Sequence, residues 1–169
     1  MEQVDIIDEN LKVLYSCDKS EAHEKGLLHA TVIAEVHNSK GEWMLVKQAS
    51  DKQDAGQYVS PVGGHVAAGE SFEDALRRET DEEVGIKDFG SKLVGKAIFN
   101  RKVRNKHENH YFILYEIYTD TLPTLNEESV EYEYFSPEEL KQQYHENPSK
   151  FGDAFHFVVQ TFYKDLIGS

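Results

Sequence analysis

Apolar and polar residues alternate along much of this chain in short runs separated by turn signals, and the period changes to a helical one in a few places. Residues 4–8 and 11–16 alternate around Glu9-Asn10 and predict a small hairpin, followed by a short helical turn over 20–25. Runs 28–36 and 43–47 flank the turn sequence Asn38-Ser39-Lys40-Gly41 and predict a second hairpin. Long strands are expected at 93–99 and 111–118 and a shorter one at 130–135, after which Ser136 caps a helix through Glu138, Glu139 and Leu140. Phe151, Phe155, Val158, Val159, Phe162 and Leu166 recur at helical spacing and predict a final core-packing helix. Strands interspersed with helices predict an α/β fold, a mixed β-sheet between helical layers. Repeats, low-complexity tracts and linkers do not stand out, so residues 1–169 are expected to form one domain.

The segment from Gly64 to Ile86 changes the picture, because it sets seven acidic side chains against two basic ones. Ser71 with Asp74 makes a helix start resembling a capping box. Phe72, Ala75, Leu76 and Thr80 recur on a face that can turn inward, and Gly85 supplies the stop. On such a helix Glu79, Glu82 and Glu83 stand at i, i+3 and i+4 and repel by about 0.2–0.5 kcal/mol per pair. Converging carboxylate oxygens suit hard divalent cations such as Mg²⁺ or Mn²⁺. Before the helix, Pro61-Val62-Gly63-Gly64 is expected to be a glycine loop whose backbone at Gly63 and Gly64 comes close to a bound ligand or cofactor.

In this order and spacing, Gly64, Glu70, Arg78, Glu79, Glu82, Glu83, Gly85 and Ile86 resemble the complete signature of the Nudix hydrolases. Thr80 stands where that family usually carries a larger aliphatic residue, a position of packing rather than chemistry. The resemblance implies a Nudix-like α/β/α sandwich, metal ions held by Glu79, Glu82 and Glu83, and an Arg78–Glu70 pair that braces the loop against the helix. It implies cleavage of a diphosphate bond, in which bound metal stabilises phosphoryl charge and promotes deprotonation of water. The general base is Glu82 or Glu128, the latter in the Leu125-Asn126-Glu127-Glu128 segment.

A second resemblance covers most of the chain. Val4-Asp5-Ile6-Ile7-Asp8, Glu21-Ala22-His23, Gly26-Leu27-Leu28-His29 and Glu108-Asn109 are similar to elements of the type 1 isopentenyl diphosphate isomerases and their hydrolase relatives. In the isomerases, residues resembling His23, His29, His65 and Glu108 bind a divalent metal, which implies a second site for an ion such as Zn²⁺ or Mn²⁺. The bland alternative has His23 exposed on a short helix, His29 starting a strand and His65 lining a loop. Strand alternation places His107 and His110 on opposite faces. Gly63 replaces the proton-moving cysteine of the isomerases, and His110 replaces a catalytic glutamate, so isomerisation lacks its acid–base pair while the hydrolase glutamates are intact. A non-catalytic binding or sensor module is the remaining alternative; the retained repulsion among Glu79, Glu82 and Glu83 opposes it.

Charge and composition frame the partners. A net charge of −13 opposes general nucleic-acid binding and favours a small phosphorylated ligand. Lys96, Arg101, Lys102, Arg104 and Lys106 form a basic cluster that either meets phosphates or rims a solvated hairpin. Tyr58, Phe99 and Trp43 either stack on a base or pack in strands. The opening residues do not resemble a signal peptide, no long apolar run appears, and the single Cys17 fits a reducing cytoplasm. Cys17 is expected to be structural rather than reactive. No proline follows the signature before Pro123 and no tyrosine before Tyr111, which weakens ADP-ribose and dinucleoside polyphosphates as substrates of a family member. Dimers are common in the family resembled.

Overall fold

The computed structural model describes residues 2–52, 54–103 and 106–167. Its hub is strand β3 (His29–His37), which carries three structural commitments at once. Along its whole length it pairs in parallel with β8 (Lys106–Tyr118), from His29 opposite His110 to His37 opposite Tyr118. It also pairs antiparallel with β6 (Val62–His65), with Thr31 opposite His65 and Ile33 opposite Gly63. At its ends it meets β1 (Gln3–Ile7) and β4 (Trp43–Gln48). The sheet is completed by β2 (Val13–Asp18) beside β1, β5 (Tyr58–Val59) and β9 (Ser129–Phe135) beside β4, and β7 (Gly90–Val103) beside β8.

Alternation along β3 gives the sheet two different faces. Ala30, Val32, Ala34 and Val36 point to a core shared with Ala75, Leu76 and Val84 of α2 (Phe72–Val84). Ile33 faces the other way, to Phe112, Leu114 and Val158 of α4 (Asp153–Phe162). A third cluster joins Trp43 and Leu45 to Leu140 and Tyr144 of α3 (Pro137–Glu146). The two short helices α1 (Lys19–Lys25) and α5 (Lys164–Ile167) complete a mixed sheet with helices on both faces, the α/β arrangement expected. Among the described residues no helix is long and apolar enough to cross a membrane.

Local chemistry explains the boundaries. Ser71 Oγ accepts from the Asp74 amide at 3.1 Å and starts α2, and Gly85, at φ 66°, ends it. Asp74 completes no reciprocal cap but pairs with Arg77 at 2.8 Å. Around Ser136 the full capping box does form, with Glu139. In the first hairpin Leu11 turns to φ 66°, and the Asp8 carboxylate accepts from the amides of Asn10 and Lys12, so β2 starts at Val13 rather than at residue 11.

Three further expectations need correction. Gly63 and Gly64 lie within β6, not in a loop. The β7–β8 hairpin extends well past residue 99, because polar pairs such as Arg101 opposite Glu108 continue the ladder where no apolar alternation marks it. The expected final helix is two: Phe151 forms a β-bridge to Tyr58, α4 starts at Asp153, and the helix breaks at Tyr163. Tyr163 leaves the helical path because its hydroxyl donates to Glu116 at 2.7 Å and its ring packs on Trp43.

Candidate active site

Strand β6 and helix α2 approach so closely that Gly64 faces the Glu79 carboxylate, and the polar face of α2 opens into a cleft of about 630 Å³. Arg78 organises this junction. Its Nε donates to Glu70 at 2.9 Å and one terminal nitrogen to Glu70 at 2.8 Å, a bidentate pair. The guanidinium also donates to the His65 carbonyl at 3.0 Å and to Glu79 at 2.7 Å. One planar cation thus ties the helix, the β6 backbone and the turn at Glu70 together. Hydrogen bonds from Arg78 hold the Glu70 carboxyl below its ordinary range.

The acidic side chains have different environments. Glu83 accepts from the Gly63 amide at 2.8 Å, yet burial pushes its pKa up to about 9, reinforced by Glu79 and Glu128. Burial likewise raises Glu79, partly offset by Arg78. Glu82 is exposed and reaches Arg78 only at 3.7 Å. Glu128 arrives from the loop before β9, held by Asn126, and lines the same cleft. Glu79, Glu82, Glu83 and Glu128 all line this one cleft. Four carboxylates set together offer an all-oxygen donor set, and two of them are expensive to ionise until a cation compensates.

Beside this lies a cluster of four histidines. His23 comes from α1, His29 from β3, His65 from β6 and His110 from β8, and their ligand atoms lie within 4.8 Å of one another. His23 Nε2 is 3.0 Å from His65 Nε2 and 3.4 Å from His110 Nε2. His29 Nδ1 donates to the Leu27 carbonyl at 2.8 Å, which leaves its Nε2 as the lone pair. Among the described residues that buried atom has no hydrogen-bond partner. Burial lowers His29 and His65 and pushes His110 down to about 3, with His29 the next cause for His110. Imidazole nitrogens gathered this closely, with His29 and His110 buried, fit a metal of borderline softness.

Glu108 is the point of difference from the expected set. It shares a face with His110 but stands apart from the group of four, and its carboxylate accepts from Arg101 Nε at 3.1 Å. The fourth member is His110, aligned with His29 by the parallel β3–β8 register. His107 lies on the opposite face, bonded to Asn100.

The other candidates separate cleanly. Tyr58 and Trp43 are core residues, packed on Phe135 and Tyr163 respectively. Phe99 does line the cleft, with the Arg101 guanidinium 5.5 Å from its ring centre. Arg101 itself lines the cleft, near Asp54 and Asp153 as well as Glu108, whereas Lys96 lies against Phe72 and Lys102 is exposed. Arg104 and the side chain of Lys106 lie outside the described residues. Lys19 and Lys52 are cleft residues the sequence pattern did not single out, since neither belongs to a charge run.

A glycine strand braced by an Arg–Glu pair against a helix of metal-ready glutamates, on a mixed sheet, is the architecture of a Nudix-type protein. The match to the NUDIX domain model spans residues 27–155, and the chain belongs to this family as a Nudix hydrolase, a pyrophosphate-cleaving enzyme. It is 28% identical over 158 residues to an isopentenyl-diphosphate delta-isomerase of Pectobacterium atrosepticum, covering 92% of this chain and 88% of that protein. An uncharacterized Nudix hydrolase of Nostoc sp. is 29% identical over 167 residues, 96% of each chain. Two solved structures share the fold. One is DR0079 from Deinococcus radiodurans, with a TM-score of 0.73 and 20% identity over 95% of this chain and 99% of that one. The other is a MutT protein from Methanosarcina mazei, with 0.66 and 24% over 82% and 94%.

Proposed function

We propose that this chain hydrolyses the diphosphate bond of a nucleoside diphosphate derivative or similar small phosphorylated metabolite in the presence of Mg²⁺ or Mn²⁺, working as one domain in the cytoplasm. The observation that carries this reading is the convergence of Glu79, Glu83 and Glu128 in the cleft, with burial raising the first two. Glu79, Glu82 and Glu83 would hold the divalent ions, which when bound would supply positive charge against the phosphoryl oxygens and make a water easier to deprotonate. Arg78 and Glu70 hold Glu79 and the β6 backbone in place. Glu82 and Glu128 are the two carboxylates positioned to accept the proton from water. Lys19, Lys52 and Arg101 add fixed positive charge to a cleft that otherwise repels a diphosphate.

The histidine cluster is proposed as a separate site for Zn²⁺ or Mn²⁺, held by His23, His29, His65 and His110, with Glu108 beside it. Isomerisation, the activity named for the Pectobacterium relative, is not supported. Gly63 has no side chain to move a proton, and His110 turns into the imidazole cluster.

The test is release of phosphate or nucleotide from a panel of nucleoside diphosphate derivatives, nucleoside triphosphates and isopentenyl diphosphate, with Mg²⁺, Mn²⁺ or chelator. Metal-dependent cleavage of a nucleoside diphosphate derivative is expected. Tight binding without turnover of any compound would convert the reading to a sensor module.

A further inference from the structure

Residues 30–36 read Ala-Thr-Val-Ile-Ala-Glu-Val, an apolar strand interrupted by one acid, and Glu35 is fully buried there. A strand selected for packing alone would repeat the aliphatic residue found two positions earlier at Ile33. The Glu35 carboxyl has a single hydrogen-bond partner among the described residues, Ser60 Oγ at 2.5 Å from Oε2; Oε1 is buried and has none. Ser60 stands on the segment between β5 and β6 and lines the cleft, so Glu35 lies one layer beneath the site.

Among the described residues, the groups facing Glu35 give it no positive charge. From β8, Glu116 sits opposite it in the parallel register and opposes its ionisation. Beyond α4, the Tyr163 hydroxyl donates to Glu116, and on β3 itself His37 lies 3.8 Å from Glu116. His37 is lowered by burial and therefore neutral. A charged carboxylate here would leave Oε1 unsolvated beside a second acid, so the proton belongs on Oε2, where it donates to Ser60 Oγ. Burial accordingly pushes Glu35 up to about 8. That direction of donation has a consequence at the surface of the cleft. A serine hydroxyl that accepts from Glu35 is free to point its own hydrogen outward, whereas one that donates to a carboxylate presents only lone pairs.

We propose that Ser60 binds a phosphoryl oxygen of the substrate as a hydrogen-bond donor, and that the buried carboxyl of Glu35 is the positioning residue that sets this polarity. The inference rests on the diphosphate-cleaving function proposed above and adds a contact to it. Ser60 shares the cleft with Lys52 and with Glu83, whose partner Gly63 lies three residues along the same segment. Above about pH 8 the Glu35 proton is lost, Ser60 turns back to donate inward, and a negative charge forms behind the phosphate site.

The experiment is calorimetric binding of methylenediphosphonate with Mg²⁺, a diphosphate analogue that no turnover can consume, from pH 6.5 to 9.5. Ser60→Ala and Glu35→Leu are expected to raise Kd about tenfold or more at pH 7, the loss of one hydrogen bond to a charged group. Glu35→Gln, whose amide can donate to Ser60 Oγ at every pH, is expected to restore most of the affinity relative to Glu35→Leu. It should also remove the weakening above pH 8 that the parent shows. Melting temperatures are recorded for all three variants, since a purely structural bond would move these and leave Kd unchanged. Unchanged Kd in folded Ser60→Ala, or the same pH dependence in Glu35→Gln as in the parent, overturns the proposal, as does failure of the parent to bind. Parent binding without turnover of any panel compound overturns the hydrolase reading instead and leaves this contact standing.

Discussion

Gly64 and Glu79 touch: a Cβ built on Gly64 would lie 2.1 Å from the Glu79 carboxyl carbon. Gly64 has an ordinary strand conformation, so glycine is required here for space, not for backbone freedom. Glu79 cannot simply swing aside, because Arg78 holds it at 2.7 Å. Gly64→Ala is therefore expected to displace a carboxylate proposed to bind metal and lower kcat about a hundredfold while the circular dichroism spectrum is retained. Steady-state kinetics beside the spectrum check this.

Arg78→Lys keeps the charge and loses the geometry. A lysine ammonium cannot bridge Glu70, Glu79 and the His65 carbonyl at once, so turnover should fall more than tenfold. The guanidinium is about one-third exposed, which limits the stability loss to about 1–2 kcal/mol. Denaturant unfolding and turnover measured on the same preparation separate the two effects.

Glu83 gives the metal-free protein a pH dependence with a defined sign. Its folded pKa is raised to about 9, so the folded state holds this proton more tightly than the unfolded chain, where a glutamate titrates near about 4.3. The stabilisation is complete below about 4.3 and is lost as pH rises toward 9, with a slope of at most about 1.4 kcal/mol per pH unit. In chelator, parent minus Glu83→Gln stability should fall with pH across that window, and saturating Mg²⁺ should reduce the difference. Thermal melts across the pH series, with and without Mg²⁺, check both statements.

The histidine cluster predicts metal content. His29→Ala and His110→Ala should each lower bound zinc about tenfold or more after equilibration against a weak chelator, read by elemental analysis of variant beside parent. Zinc in both variants equal to the parent's would remove the site.

Much of this molecule was legible because its signals are local. The Ser71 cap, the inward Thr80 and the Gly85 stop lie within a single helix, and Thr80 is indeed buried, its hydroxyl bonded to the Leu76 carbonyl. The glutamates share that helix, so their spacing already placed three of them together. What was hidden depends on distant pairing. His110 reaches the imidazole cluster through a β3–β8 register set by eighty residues of intervening chain, while Glu108, two residues away, is drawn to Arg101 across the hairpin. The break at Tyr163 is set by Glu116 and Trp43, neither of them near it in the chain. Glu35 did carry a signal, an acid inside an apolar run, but its partner Ser60 meets it only through the fold.

The carboxylates of α2 are proposed to bind the metal that drives diphosphate cleavage. The most direct test of this is Mg²⁺-dependent turnover of Glu79→Gln and Glu83→Gln beside the parent on the best substrate of the panel, with folding verified by melting temperature. Loss of about a hundredfold or more in kcat in both folded variants is the predicted result. Full activity in both would contradict the assignment of the metal site.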